Sequence, residues 1–138
     1  MTSAICPCGS GKSYEECCQP FHQGLLPDTA LKLMRSRYAA YALNLPDYII
    51  KTTHPTHSQY CRDLALWRRQ ISEFSLHTHF KKLEILDFKE VENEATVTFV
   101  AHLLQNEQDV TFTEKSWFDK VDGVWLYRSG EVFKGTLS

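Results

Sequence analysis

Apolar residues recur at helical spacing up to about residue 76, and from Lys82 onward at every second position. Leu31, Met34, Tyr38, Tyr41, Ala42 and Leu45 form the first stripe. It predicts a helix opened by the start signals of Pro27, Asp28 and Thr29 and running to residue 45. Lys32, Arg35 and Asn44 fall on its other face. Pro46 ends or kinks this helix, "PDYIIKTT" restarts as a short one, and "HPTHS" breaks the chain again. Tyr60, Leu64, Trp67, Ile71 and Phe74 form a second stripe, with Arg62, Asp63, Arg68, Arg69 and Glu73 turned mostly to solvent. Beyond it, "LEILDFKEV", "ATVTFVAHLL", "DVTFTEKSWFDKV" and "VWLYRSGEV" read as four strands. "ENE" and "QNEQ" separate the first three, and Asp122-Gly123 is a two-residue hairpin turn. Helices followed by a run of antiparallel strands argue an α+β fold, with N-terminal helices packed on one face of a curved antiparallel sheet.

Composition narrows the class. The 138 residues suit one main domain with a small appendage, and 43% apolar residues suffice for a packed core. A formal charge of −2 gives no bulk attraction for nucleic acid or an anionic membrane. No stretch approaches the roughly 20 apolar residues of a membrane span, and no secretory signal stands at the N-terminus. A cytoplasmic location is expected, where clustered cysteines bind metal or do redox chemistry more often than they form structural disulfides.

That expectation bears on "CPCGSGKSYEECC", residues 6 to 18. "GSGKS" has the tail of a phosphate-binding loop, but the first glycine of that motif falls on Cys6. Five residues are too few for the buried strand that precedes such a loop, so no nucleotide is expected here. Cys6, Cys8, Cys17 and Cys18 have the spacing C-x-C-x8-C-C, two close pairs joined by a loop, which suits a four-thiolate zinc site. Iron is the alternative metal, since thiolates accept both. Gly9 and Gly11 permit the positive φ that wraps a loop around an ion. Lys12 would moderate the thiolate charge. His22, four residues past Cys18, is an alternative fourth ligand. Thiol redox chemistry lacks its usual C-x-x-C beside a βαβ pattern.

The same stretch resembles the SEC-C motif, the zinc hook best known from the C-terminus of the bacterial translocase motor SecA. Cys6, Pro7, Cys8, Gly9, Ser10, Gly11, Lys12, Tyr14, Cys17 and Cys18 carry the likeness. "CCQPFHQG", "LMRSRYAAYALNLPDYIIKTTHP" and "EKSWFDKVDGVWLYRSGEV" resemble the YchJ-type family of small bacterial proteins. Members often carry a second cysteine motif at the C-terminus, whereas this sequence ends "GEVFKGTLS". The resemblance implies a hook over residues 1–24 and a nuclear transport factor 2-like (cystatin-like) cone over 25–138. It also implies a non-enzymatic role, with the hook touching an export chaperone, a ribosome or another protein through exposed Ser10, Lys12, Ser13 and Tyr14. Nucleic acid would be met only indirectly, through a ribosome.

A second reading rests on the body. Phe112, Glu114, Ser116 and Phe118 point to one face of the third strand. A two-residue turn sets Phe118 opposite Tyr127, Ser116 opposite Ser129, and Trp117 opposite Arg128 as a cation–π pair. If that face is concave, Glu114 with Ser116, Tyr38 or His54 marks a pocket that binds or turns over a small molecule. His54, His57 and Cys61 offer ligand types, but no helix sets them on one face. Cys61 is expected as a buried structural thiol, and His77, His79 and His102 in ordinary surface or core roles.

Overall fold

The computed structural model describes residues 4–57 and 60–134; Ser58 of "HPTHS", the first three residues of the hook and the last four of the chain lie outside them. A single 3₁₀ turn, Tyr14–Glu16, and a short helix α1, Gln19–His22, follow the cysteine loop. Helices α2 (Ala30–Ala42), α3 (Pro46–Lys51) and α4 (Leu64–Leu76) come next. Five strands complete the fold: β1 (His79–Val91), β2 (Glu94–Gln105), β3 (Gln108–Asp109), β4 (Phe112–Val121) and β5 (Val124–Lys134). Their order is β1-β2-β4-β5, antiparallel, with the short β3 also paired to β2.

Helix α2 opens on Thr29, whose hydroxyl accepts the Lys32 N–H at 3.1 Å. It ends three residues before the predicted Leu45, because Asn44 turns left-handed (φ 57°) and Pro46 starts α3. The buried face also differs from the predicted stripe. Leu33, Met34, Arg37, Tyr38, Ala39 and Ala40 are buried, while Leu31, Tyr41 and Leu45 are half-buried. This helix is covered on two sides, by the sheet and by the cysteine loop, where Ala39 packs with Cys6, Cys8 and Cys18. One amphipathic stripe therefore understates its contacts. In α4, capped by Asp63, Trp67 and Ile71 are buried, while Leu64 and Phe74 stay largely exposed. Arg68, expected free in solvent, pairs with Asp47 of α3 at 2.5 Å.

The sheet turns its concave face to α2 and α4. Val97, Phe99, Ala101 and Leu103 of β2 lie there, with Ser116 and Phe118 of β4 and Trp125 of β5. Burial of such large side chains contributes roughly 1.5–3 kcal/mol each. Two irregularities in the β1–β2 ladder, between Phe80 and Lys82 and between Ile85 and Asp87, bend β1. The third predicted strand is broken: Asp109 Oδ1 accepts the Thr111 N–H at 2.8 Å, and the ladder resumes at Phe112.

The β4–β5 turn has two residues, Asp122 (φ 50°) and Gly123 (φ 81°), and Phe118 faces Tyr127 as predicted. The register then slips by one, with Arg128 as the extra residue. Ser116 therefore faces Gly130 rather than Ser129, and Trp117 faces Ser129 rather than Arg128. Arg128 reaches Asp119 at 2.8 Å instead, and Lys115 lies over the Trp117 ring. No helix among the described residues is long and apolar enough to cross a membrane.

Candidate metal centre and cone cavity

The cysteine loop is a small hairpin folded onto the body. Ile5 pairs with Ser13, the Cys6 N–H donates to the Lys12 carbonyl at 2.9 Å, and the Tyr14 N–H donates to the Ala4 carbonyl at 2.9 Å. Gly9 and Gly11 take φ of 83° and 85° to reverse the chain. Gly9 also lies against β1, where a Cβ would stand 3.2 Å from the Leu83 carbonyl oxygen.

All four sulfurs of Cys6, Cys8, Cys17 and Cys18 converge to within 4.8 Å of one another. Cys8 Sγ lies 3.4 Å from Cys17 Sγ, which lies 3.8 Å from Cys18 Sγ. These are unbonded thiols. A tetrahedral zinc site with Zn–S bonds of about 2.3 Å has sulfur–sulfur edges of about 3.8 Å, so the set fits a metal ion at its centre.

The protons are unevenly held. A hydrogen bond from Cys18 draws the Cys8 thiol down to about 4, and Ser10 and Cys17 add to the effect against burial. Burial pushes Cys6 up to about 11, and the bond Cys18 makes to Cys8 pushes Cys18 up as well. One thiolate thus collects donors from its neighbours. A cation at the centre would release the remaining protons.

Outer groups tie this cluster to α2. Ser10 Oγ lies 3.1 Å from Cys17 Sγ. His22 Nε2 lies 2.8 Å from the Ser36 carbonyl, which can only accept, so this nitrogen carries the proton. Nδ1 then accepts from the Tyr14 hydroxyl at 2.7 Å. Burial holds the His22 pKa below its usual value, which fits the neutral ring. Both ring nitrogens are engaged, and His22 is not among the converging ligand atoms. Arg35 donates to the Cys8 carbonyl at 2.9 Å, so the cation beside the site comes from α2. Lys12, expected to fill that role, is exposed and closes the hairpin with its main chain. Of the four predicted contact residues, Lys12 is exposed and Ser13 half-buried. Ser10 and Tyr14 are half-buried, with their hydroxyls turned inward to Cys17 and His22.

A cavity of about 990 Å³ lies between α2, α4 and the sheet. Tyr38, Phe112, Glu114 and Tyr127 line it, as do Cys61 and, unforeseen in the sequence, Arg37. Ser116 and Phe118 are fully buried in the sheet and do not line it. His54 lies outside it, its N–H bound to the Tyr127 carbonyl at 2.8 Å and its ring to Thr56. Cys61 is half-buried, with Sγ 3.5 Å from the Asp63 carbonyl. Glu114 Oε2 accepts from the Ser116 hydroxyl and, at 3.0 Å, from the Tyr127 hydroxyl. Burial and the Glu114 charge push the Tyr127 phenol up. Arg37 lies 4.5 Å above the Tyr127 ring centroid, anchored by Thr52 Oγ1 at 2.7 Å, Thr53 Oγ1 at 3.1 Å and the Ile49 carbonyl at 3.2 Å. Met34, Arg37, Tyr38 and Tyr41 share one helical face, a spacing that signals Arg37 in the sequence.

Residues 29–130 match the family described as "YchJ, middle NTF2-like domain", and residues 3–20 match the SEC-C motif. The chain is 36% identical over 132 residues to the UPF0225 protein YchJ of Shigella dysenteriae, covering 93% of this chain and 83% of that protein. It is similar to the solution structure of a SEC-C motif containing protein from Rhodopseudomonas palustris, with TM-score 0.77 and 32% identity over 94% of this chain and 98% of that one. A crystal structure of a SEC-C motif containing protein from Psychrobacter arcticus gives TM-score 0.76 and 28% identity over 96% of this chain and 84% of that one.

Proposed function

The chain belongs to the YchJ family, with a SEC-C motif ahead of an NTF2-like domain, and from that footing we propose that its hook binds one structural zinc ion and recognises a protein partner. The observation that carries this reading is the closed set of four converging sulfurs. Four thiolates fill a tetrahedral shell and leave no open position for a substrate, so the centre holds a shape rather than performing a reaction. Residues 1–24 are the proposed recognition unit and 25–138 its support.

The proposed contact surface is centred on Lys12 and Ser13, beside Ile5, which is 66% exposed. Ser10 and Tyr14 support it from inside. The motif's likeness to the translocase hook favours a chaperone, ribosome or secretion-type protein. Five free thiols favour the reducing cytoplasm, where a thiolate shell survives.

The test is affinity capture with the full zinc-loaded chain and with a Lys12→Glu, Ile5→Asp double variant that keeps every sulfur. A partner that binds the first and not the second supports the reading. The same partner recovered equally by both would overturn it.

A further inference from the structure

The aromatic cavity has no part in the role proposed for the hook, and its chemistry points to a ligand of its own. Tyr38, Trp67, Phe74, Phe80, Phe99 and Phe112 wall it with rings. A volume of about 990 Å³ accommodates a small organic molecule. Three charged side chains line that volume: Arg62, which is exposed, and Arg37 and Glu114, which both meet Tyr127.

Glu114 is held in place from behind. Oε2 takes the hydroxyl protons of Ser116 and Tyr127, whereas Oε1 has no hydrogen-bond partner among the described residues. The carboxylate lies over Gly130, where an added Cβ would stand 2.6 Å from Glu114 Oε2 and closer still to Tyr127 Oη. Glycine at 130 therefore makes room for this arrangement. Arg37 is only 6% exposed. All three of its hydrogen bonds leave from Nη1 and go to neutral oxygens. No carboxylate forms an ion pair with it among the described residues. Its remaining N–H groups have no hydrogen bond among the described residues.

One end of the cavity thus offers an unfilled acceptor and unfilled donors. At this end a carboxylate gains Arg37 but meets Glu114, and an ammonium gains Glu114 but meets Arg37, while a neutral group with both an N–H and an oxygen satisfies both residues. We propose that the cone binds a small, flat, largely apolar molecule ending in a neutral carboxamide-like group. Its N–H donates to Glu114 Oε1 and its oxygen accepts from Arg37. The rings supply the apolar contact.

Three probes on one ring system test this: indole-3-acetamide, indole-3-acetate and tryptamine, each titrated against the zinc-loaded full chain by calorimetry and amide chemical shifts. Indole-3-acetamide should bind about tenfold more tightly than either charged probe, the worth of one well-placed hydrogen bond. Glu114→Gln removes the negative charge and leaves Arg37 uncompensated, so indole-3-acetate should become the preferred probe. Phe112→Trp narrows the cavity and should weaken all three probes together, a check that does not depend on the Glu114 variant folding. No binding of any probe at millimolar concentration, or the same preference order in Glu114→Gln, would overturn the proposal.

Discussion

The Tyr14 hydroxyl donates to His22 Nδ1 at 2.7 Å, and the opposite nitrogen of that ring donates to Ser36 of α2 at 2.8 Å. This imidazole fastens the cysteine loop to the body, beside the Arg35 bond to the Cys8 carbonyl. Replacing the ring costs the Ser36 carbonyl its side-chain donor and leaves the Tyr14 phenol without its partner. His22→Ala should cost about 1–3 kcal/mol in urea unfolding. It should also weaken zinc binding by about tenfold, as loss of an outer support does at metal sites. Competition with a coloured chelator measures the second effect. Unchanged affinity would show that the loop organises itself alone.

Metal content gives the second prediction. Native mass spectrometry should find one zinc per chain, and Cys8→Ser or Cys18→Ser should abolish it. Each side chain is buried at the centre of the cluster, with 0% and 1% exposure respectively. A strong chelator should lower the melting temperature of the wild type and leave that of either variant unchanged. Visible thiolate-to-iron absorption in the purified protein would identify iron instead.

Gly130→Ala should destabilise by about 1–3 kcal/mol, because an added methyl would overlap the Tyr127 hydroxyl and the Glu114 carboxylate. The backbone at 130 is not left-handed, so the cost is steric. A Tyr127→Phe change made in the Gly130→Ala background removes the nearest of these atoms and should recover part of the loss. A purely additive double mutant would locate the strain elsewhere.

Burial, and then the Arg37 charge, hold the His57 pKa below its ordinary value. Its ring lies 5.0 Å from that of Tyr127. A lowered histidine pKa means the unfolded chain binds the extra proton more readily. Its contribution is fully present above about 6.5, the unfolded value, and declines as pH falls below it. Melting temperature measured from pH 7.5 to 5 should therefore fall less for His57→Asn than for the wild type. The difference between the two removes the acid sensitivity of the thiolate site, which both share. Parallel curves would contradict it.

The four sulfurs and the α+β order were legible from the sequence, since spacing and period are local properties. Phe118 opposite Tyr127 was legible too, because a two-residue turn counts outward without error until something interrupts it. The interruption at Arg128 was not, as its side chain follows Asp119 in space rather than its neighbours in sequence. Arg35 and Arg37 were hidden for a related reason. A helix covered on two sides has no wholly polar face, and its arginines reach the Cys8 carbonyl and the cavity. His22 was placed near the cluster correctly, but its role depends on Ser36, fourteen residues away.

Four successive residues of α2 serve both halves of the molecule. Arg35 and the Ser36 carbonyl meet the hook, and Arg37 and Tyr38 line the cavity. These contacts lie within one helical turn of α2. Whatever factor zinc applies to the cavity's affinity for a carboxamide, the carboxamide must apply to the affinity for zinc. Where that factor differs from one, a dye that competes for zinc becomes an assay for what the cone binds, with no knowledge of the ligand required.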